Sequence, residues 1–222
     1  KINWLPNNVT APESLQTLKL PSESSTIQLL LVGSLSVGKG ADHLVSLLAR
    51  ARIRRIPIHA TAVGTLSPME SSKPVDHSYL RDRINTEGVQ DDITYYSRVD
   101  RSRLDQFYAE SDWLFHPTSL DGSPRAVLEA LANGLPVIGS RHPGITVLDP
   151  DEEFILYANP FDPDILLDRL IAEKSDKTEH ADRSAKGRDR MMGCHSSETV
   201  SEQYIELYSR LLSDPETRTA KS

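Results

Sequence analysis

Two carboxylates set around one helix start are the residues in this chain best placed to do chemistry. They lie in Leu120-Asp121-Gly122-Ser123-Pro124-Arg125-Ala126-Val127-Leu128-Glu129, followed by Ala130-Leu131-Ala132-Asn133-Gly134-Leu135-Pro136-Val137-Ile138-Gly139. Ser123 then Pro124 predicts a helix start, with the hydroxyl as cap and the fixed φ of proline at the first helical position. Val127, Leu128 and Leu131 repeat at helical spacing, and Asn133-Gly134 supplies a left-handed stop before an apolar strand. Asp121 falls just outside the positive end of the helix, and Glu129 about a turn and a half inside, roughly 7–8 Å along the axis. Free amides at a helix start attract phosphate, whereas carboxylates repel it and accept hydrogen bonds from hydroxyls. A molecule with hydroxyls at both ends and phosphates in the middle, such as a sugar nucleotide, satisfies both. The same letters also suit an ordinary surface helix, with Glu129 pairing Arg125 one turn back.

A second candidate is Gly33-Ser34-Leu35-Ser36-Val37-Gly38-Lys39-Gly40, which follows the apolar run Ile27–Val32 and precedes a helical pattern from Ala41 to Arg54. In a strand, glycine loop, helix unit the glycines admit a phosphate and Lys39 supplies a charge. Gly33, Gly38 and Lys39 match the first seven positions of a P-loop, but the eighth, which should carry a magnesium-binding hydroxyl, is Gly40. A P-loop NTPase is therefore the lesser reading.

The elements that must position these groups alternate. Strands are expected at Ile27–Val32, Ile56–Val63, Asp92–Tyr96, Asp112–Phe115, before Gly139, and at Phe154–Ala158. Helices are expected between them and beyond, near His77–Thr86, Arg101–Ser111, through Leu166–Ile171, and over Glu179–Met192 and Ser196–Leu212. Short apolar strands alternating with helices specify an α/β fold, a Rossmann-like parallel sheet with helices on both faces, whose ligands sit beyond the carboxyl ends of the strands. The Lys39 loop, the Ser97-Arg98-Val99 turn, the Asp121–Ser123 loop and the Gly144 turn all follow strands and so share that rim.

Composition narrows the class. A chain of 222 residues with 38% hydrophobic content fits one sizeable domain, and a net charge of −7 argues against a general nucleic-acid binder. One cysteine, Cys194, and seven scattered histidines argue against a disulfide framework and a metal centre. No apolar run spans a membrane and no signal-peptide pattern opens the chain, so a cytoplasmic protein is expected. Residues 1–26 read as a linker, 27–212 as the domain and 213–222 as a tail.

The Asp121-x7-Glu129 pair with Gly122 and "EALANGLPVIGS" resembles the Glu-x7-Glu segment of retaining GT-B glycosyltransferases, family 4 in particular. Leu5-Pro6-Asn7-Asn8-Val9 resembles the family's "IPNGV" entry to the donor-binding half. The Lys39 loop resembles "GRLxxxKG", Thr94–Val99 resembles "F-x-G-x-V", and Arg141–Ile145 resembles the "GGI" turn. The resemblance runs from Leu5 to Leu212. It implies the C-terminal half of a GT-B fold, with an acceptor-binding half before Lys1 and with no transfer by this chain alone. It further implies a hexosyltransferase acting with retention on a nucleotide diphosphate sugar, with no further cofactor and no metal.

By the same resemblance Lys39 neutralises the diphosphate, Asp121 grips sugar hydroxyls and Glu129 holds the ribose; these three form the catalytic set. Gly33, Ser34, Gly38, Arg98, Val99, Gly122, Ser123 and Pro124 complete the donor site. The sequence departs from the pattern at Ser34 (an Arg in the family), Ser97 (a Gly) and Asp121 (a Glu). Arg98, Arg125 and Arg141 are candidates for the missing cation. The departures leave open a non-catalytic nucleotide-sugar-binding or partner subunit. Donor base, sugar, acceptor and oligomeric state are not legible.

Overall fold

The computed structural model describes residues 7–9, 20–65, 77–119, 121–122, 124–158 and 161–213. Ser123 and the tail from 214 onward, both assigned above, lie outside the described residues, as does Leu5.

Six parallel strands form one sheet: β1 Ile27–Val32, β2 Ile58–Val63, β3 Ile93–Tyr96, β4 Trp113–His116, β5 Val137–Gly139 and β6 Ile155–Tyr157, in the order β3-β2-β1-β4-β5-β6. The helices are α1 Ala41–Arg54, α2 His77–Thr86, α3 Arg101–Glu110, α4 Arg125–Ala132, α5 Pro143–Thr146, α6 Pro163–Ser175, α7 Lys177–His195 and α8 Ser197–Ser213.

The two-residue period of a strand divides the core into two layers. Ile27, Leu29 and Leu31 of β1, with Ile58, Ala60 and Ala62 of β2 and Trp113 and Phe115 of β4, join Leu44, Leu47 and Leu48 of α1 and Leu166, Leu167 and Leu170 of α6. Leu30, Leu114, Val137 and Ile155 point the other way, against Phe107 and Tyr108 of α3, Leu128 and Leu131 of α4 and Met191 of α7. Because both faces are covered, the central strands β1, β4 and β5 are largely apolar, whereas β2 and β3 toward one edge admit His59, Thr61 and Thr94 at part-buried positions. Helix α7 comes close to α4 at Gly187, where an added Cβ would stand 2.8 Å from Leu131 Cδ2.

This strand order places β1 and β4 side by side while their connections leave for opposite layers, α1 on one and α4 on the other. The crevice at such a switch point, outside the carboxyl ends of the strands, is where doubly wound sheets hold ligands. The loops carrying Lys39 and Asp121 are the two that follow β1 and β4.

One expectation is revised. The α4 helix begins at Arg125, with Pro124 at the cap position (φ −75°, ψ 88°) and no side-chain cap hydrogen bond, so Pro124 is not its first helical residue. A ψ of 88° cannot continue into an α-helix, so helical geometry starts one residue later. Residues 7–9 and 20–26 lie within the stretch read as linker. Of these, Val9 is buried, its amide donates to the His195 carbonyl at 2.7 Å, and it bridges to Ser196.

Candidate donor-binding site

Lys39 ends a single 3-10 turn, Val37–Lys39, between β1 and α1. The next residue, Gly40, caps α1 in the left-handed region (φ 84°), and a Cβ there would stand 2.7 Å from Pro117 Cγ and 2.9 Å from the Pro117 carbonyl. Only glycine satisfies both the dihedral and the space. The position where a P-loop needs a hydroxyl is thus spent on bringing two loops together. Hydrogen bonds complete the seam. The Gly38 carbonyl accepts from the Ser119 amide at 3.0 Å, the Thr118 hydroxyl at 3.1 Å and the Ser119 hydroxyl at 3.2 Å.

Across this seam Lys39 Nζ donates to Asp121 Oδ2 at 2.8 Å, joining residues 82 apart in sequence. The same oxygen lies 3.4 Å from Nε2 of His116, the buried last residue of β4. His116 and the Lys39 ammonium, opposed by partial burial, hold the Asp121 carboxyl well below the usual carboxylate range. Asp121 is therefore an acceptor only, suited to hydroxyls. On the other side, Gly144 of α5 backs the loop, since a Cβ at Gly144 would fall 2.1 Å from the Asp121 carbonyl oxygen. The close approach keeps Gly144 necessary although its φ is ordinary.

Glu129 lies on the second turn of α4 with its side chain 14% exposed. Tyr108 of α3 donates to Oε2 at 3.1 Å, Arg101 NH1 stands 3.0 Å from Oε1, and Arg125 NH2 stands 3.6 Å from Oε1. The Arg125 pair expected of a plain surface helix is present, but two α3 residues make the nearer contacts. Arg98 and Val99 lie between β3 and α3, Val99 packed on the second core layer and Arg98 exposed. Asp100 caps α3 by accepting from the Arg103 amide at 2.8 Å.

Of the assigned residues, Gly33, Ser34, Gly38 and Lys39 lie on the loop after β1, and Asp121, Gly122 and Pro124 on the loop after β4. Of the three candidate cations, Arg141 is exposed and engaged elsewhere in this structure. It pairs with Glu152, at 2.7 Å from NH2 to Oε2, and stacks over the Tyr157 ring at 4.9 Å. His116, given no role in the sequence analysis, is buried with a ring nitrogen facing Asp121. Tyr108 and Arg101 were assigned no role at the site. Only the placement of α3 beside the Glu129 side chain brings them to it, and no local pattern announces that.

A cavity of 410 Å³ adjoins the site on the other flank of the β4–α4 loop, lined by Pro117, Ser119, Ser140, Arg141, His142 and Phe161 among others. Among the described residues no group of three or more His, Cys, Asp or Glu side chains could hold a metal, and no helix is long and apolar enough to cross a membrane.

Residues 16–190 match the family model "Glycosyl transferases group 1". The MMP alpha-(1→4)-mannosyltransferase of Mycolicibacterium hassiacum is 24% identical over 216 residues, covering 91% of this chain and 50% of that protein. The chain spans half or less of the curated relatives it matches, from 31% to 50% of their length. Among solved structures, sucrose-phosphate synthase from Thermosynechococcus elongatus superposes with a TM-score of 0.74 at 22% identity, over 94% of this chain and 52% of that one. Anabaena HepE in complex with UDP-glucose gives 0.70 at 19% identity, over 83% of this chain and 49% of that one. With the sheet order, the crevice between β1 and β4 and a family match running through both of its loops, this chain belongs to the glycosyl transferases group 1 family and has the Rossmann-like α/β fold of a GT-B glycosyltransferase domain.

Proposed function

We propose that the crevice between the loops after β1 and β4 binds a nucleotide diphosphate sugar as the donor half of a retaining glycosyltransferase of family 4. The observation that carries this reading is the Lys39–Asp121 contact at 2.8 Å, which puts a cation and an anion on the rim beside Glu129's helix. The donor's diphosphate meets the Lys39 ammonium, its sugar hydroxyls donate to Asp121, and its ribose hydroxyls donate to Glu129. UDP-glucose bound to HepE favours a donor of this chemical class.

Neutralising the leaving group is the main electrostatic task. As the glycosidic bond breaks toward an oxocarbenium-like state, further negative charge accumulates on the already anionic diphosphate, and one well-placed ammonium acts most strongly as that charge appears. Glu129 holds the ribose equally before and during the reaction, so its contribution falls on affinity. The acceptor site belongs to a further domain, which also excludes water on closure, and this chain alone binds donor without transferring it.

Calorimetric titration with UDP, GDP and ADP and their glucose or mannose conjugates tests the reading. Binding of one series, weakened in Lys39→Ala, is expected; no binding of any would refute it and favour a subunit whose site has decayed, to which Ser34 in place of an arginine points. In an enzyme containing both halves, Lys39→Ala should cut turnover much further than Glu129→Ala, and equal losses would contradict the division of roles.

A further inference from the structure

The Glu129 carboxylate is gripped from both sides by one helix. Arg101 and Tyr108 are seven residues apart on α3, two helical turns, and so share a face. Tyr108 is fully buried, and its hydroxyl reaches Oε2 at 3.1 Å. Burial, and next the neighbouring Glu129 charge, push the Tyr108 phenol far above its usual range, so it remains a donor at every physiological pH. Arg101 is different. Its side chain is 53% exposed and its guanidinium is shared, Nε lying 3.0 Å from Asp105 Oδ1 and NH1 3.0 Å from Glu129 Oε1. One oxygen of Glu129 is held by a fixed, dry partner and the other by wet, replaceable guanidiniums, Arg101 nearest at 3.0 Å and the still more exposed Arg125 at 3.6 Å.

We infer that Tyr108 is a positioning residue that aims Glu129, and that Arg101 occupies Oε1 of Glu129 until the vicinal diol of a ribose replaces it. The inference rests on the donor-site reading above. Asp105 retains Arg101 when the exchange occurs, so no charge is left stranded. An exposed ion pair is weak and breaks at little cost, whereas hydroxyls donating to a half-dried carboxylate are among the stronger hydrogen bonds. The exchange therefore favours the diol. Selectivity for a ribose over a ring lacking both hydroxyls depends on the carboxylate's aim, which the Tyr108 hydroxyl fixes.

The test compares UDP, GDP and ADP with their 2′,3′-dideoxy counterparts by calorimetry. In the unaltered chain the nucleotide that binds should lose roughly ten- to a hundredfold in affinity without its hydroxyls. Tyr108→Phe should shrink that ratio about tenfold while leaving the dideoxy affinity unchanged, which a general packing defect would not do. Arg101→Gln, on the surface, should tighten binding of the ribose nucleotide about threefold and leave the dideoxy compound alone. An unchanged ratio in Tyr108→Phe would overturn the positioning role. Weakening of both compounds alike in Arg101→Gln would overturn the exchange and make Arg101 a phosphate ligand. Should none of the three nucleotides bind, the donor reading fails and the ligand-free crystal structure of Tyr108→Phe decides. A Glu129 carboxylate turned from its present position supports the inference, and an unmoved one overturns it.

Discussion

The two ends of β4 each carry an aspartate paired with a lysine, and the two pairs have opposite uses. Before the strand, Asp112 is 1% exposed, with Oδ2 accepting from Lys174 Nζ at 3.0 Å and from the Gln28 amide at 2.8 Å, while Oδ1 accepts from the Ser22 amide at 2.6 Å. After the strand, Asp121 meets Lys39 at 2.8 Å with side chains 16% and 22% exposed. The first pair is filled with backbone donors and ties the start of β1 and helix α6 to the strand. The second takes its donors from side chains and stands on the open rim. What separates a fastener from a site is therefore which end of the parallel strand holds the pair and how many of its partners are backbone.

The largest effect expected from this contrast is on stability, at the closed pair. Asp112→Ala strands Lys174 and the part-buried Ser22 and Gln28 amides and should cost about 3–5 kcal/mol in denaturant unfolding. Asp121→Ala lets Lys39 turn to water but leaves the buried His116 ring nitrogen without its neighbour, and should cost less, about 1–3 kcal/mol. Similar losses would erase the distinction. Next in size is the effect of Lys39→Ala on binding. A charge-assisted contact of about 1.5–3 kcal/mol corresponds to a ten- to hundredfold rise in the Kd of a sugar nucleotide, with unfolding nearly unchanged. Lys174→Ala should do the reverse, lowering stability without altering the Kd of the folded protein.

Gly144→Ala should disturb the open end alone. The new methyl meets the Asp121 carbonyl, so the loop must move at a cost of about 1–3 kcal/mol, and nucleotide affinity should fall although no ligand contact is removed. Wild-type affinity in that variant would detach Asp121's loop from the donor site.

The smallest effect is on the acid limb of stability. At Asp112, burial pushes the carboxyl up, but the Gln28 and Ser22 amides and Lys174 outweigh it and hold it low. At Asp121, His116 and then Lys39 do so against burial. Since both folded values lie below the unfolded one, near 3.9, each group contributes fully above that pH. The contribution is lost as pH falls through the folded value. Stability should be flat from pH 7 to 5 and decline below about 4, and Asp121→Asn, which removes the carboxyl held lower of the two, should flatten that decline more than Asp112→Asn does. Unfolding curves at pH 7, 5 and 3 measure both slopes.

Much of the contrast could be read from the chain. Ile27–Val32 is apolar apart from Gln28, Gly134 stops α4 in the left-handed region at φ 66°, and Asp162 caps α6 through two amides, so local letters set those elements. The acid pair and Lys39 were legible as chemistry. The cap at Ser123-Pro124 was misplaced because a proline's fixed φ leaves ψ free, and ψ is set by the loop it leaves. His116, Tyr108 and Arg101 were not legible as site residues, because burial and an ordinary helix face are all that their neighbours in sequence indicate.

Periodicity and punctuation alone determined which stretches form strands and helices, which layers must be covered, and which residue types could meet a phosphate or a hydroxyl, since these follow from two- and 3.6-residue repeats and from backbone limits at glycine and proline. Only the tertiary structure decided that β1 lies beside β4, and with it that Lys39 reaches an aspartate 82 residues away and that α3 closes on Glu129. Strand order is a global solution to burying both faces of a sheet, and no local stretch of sequence carries it.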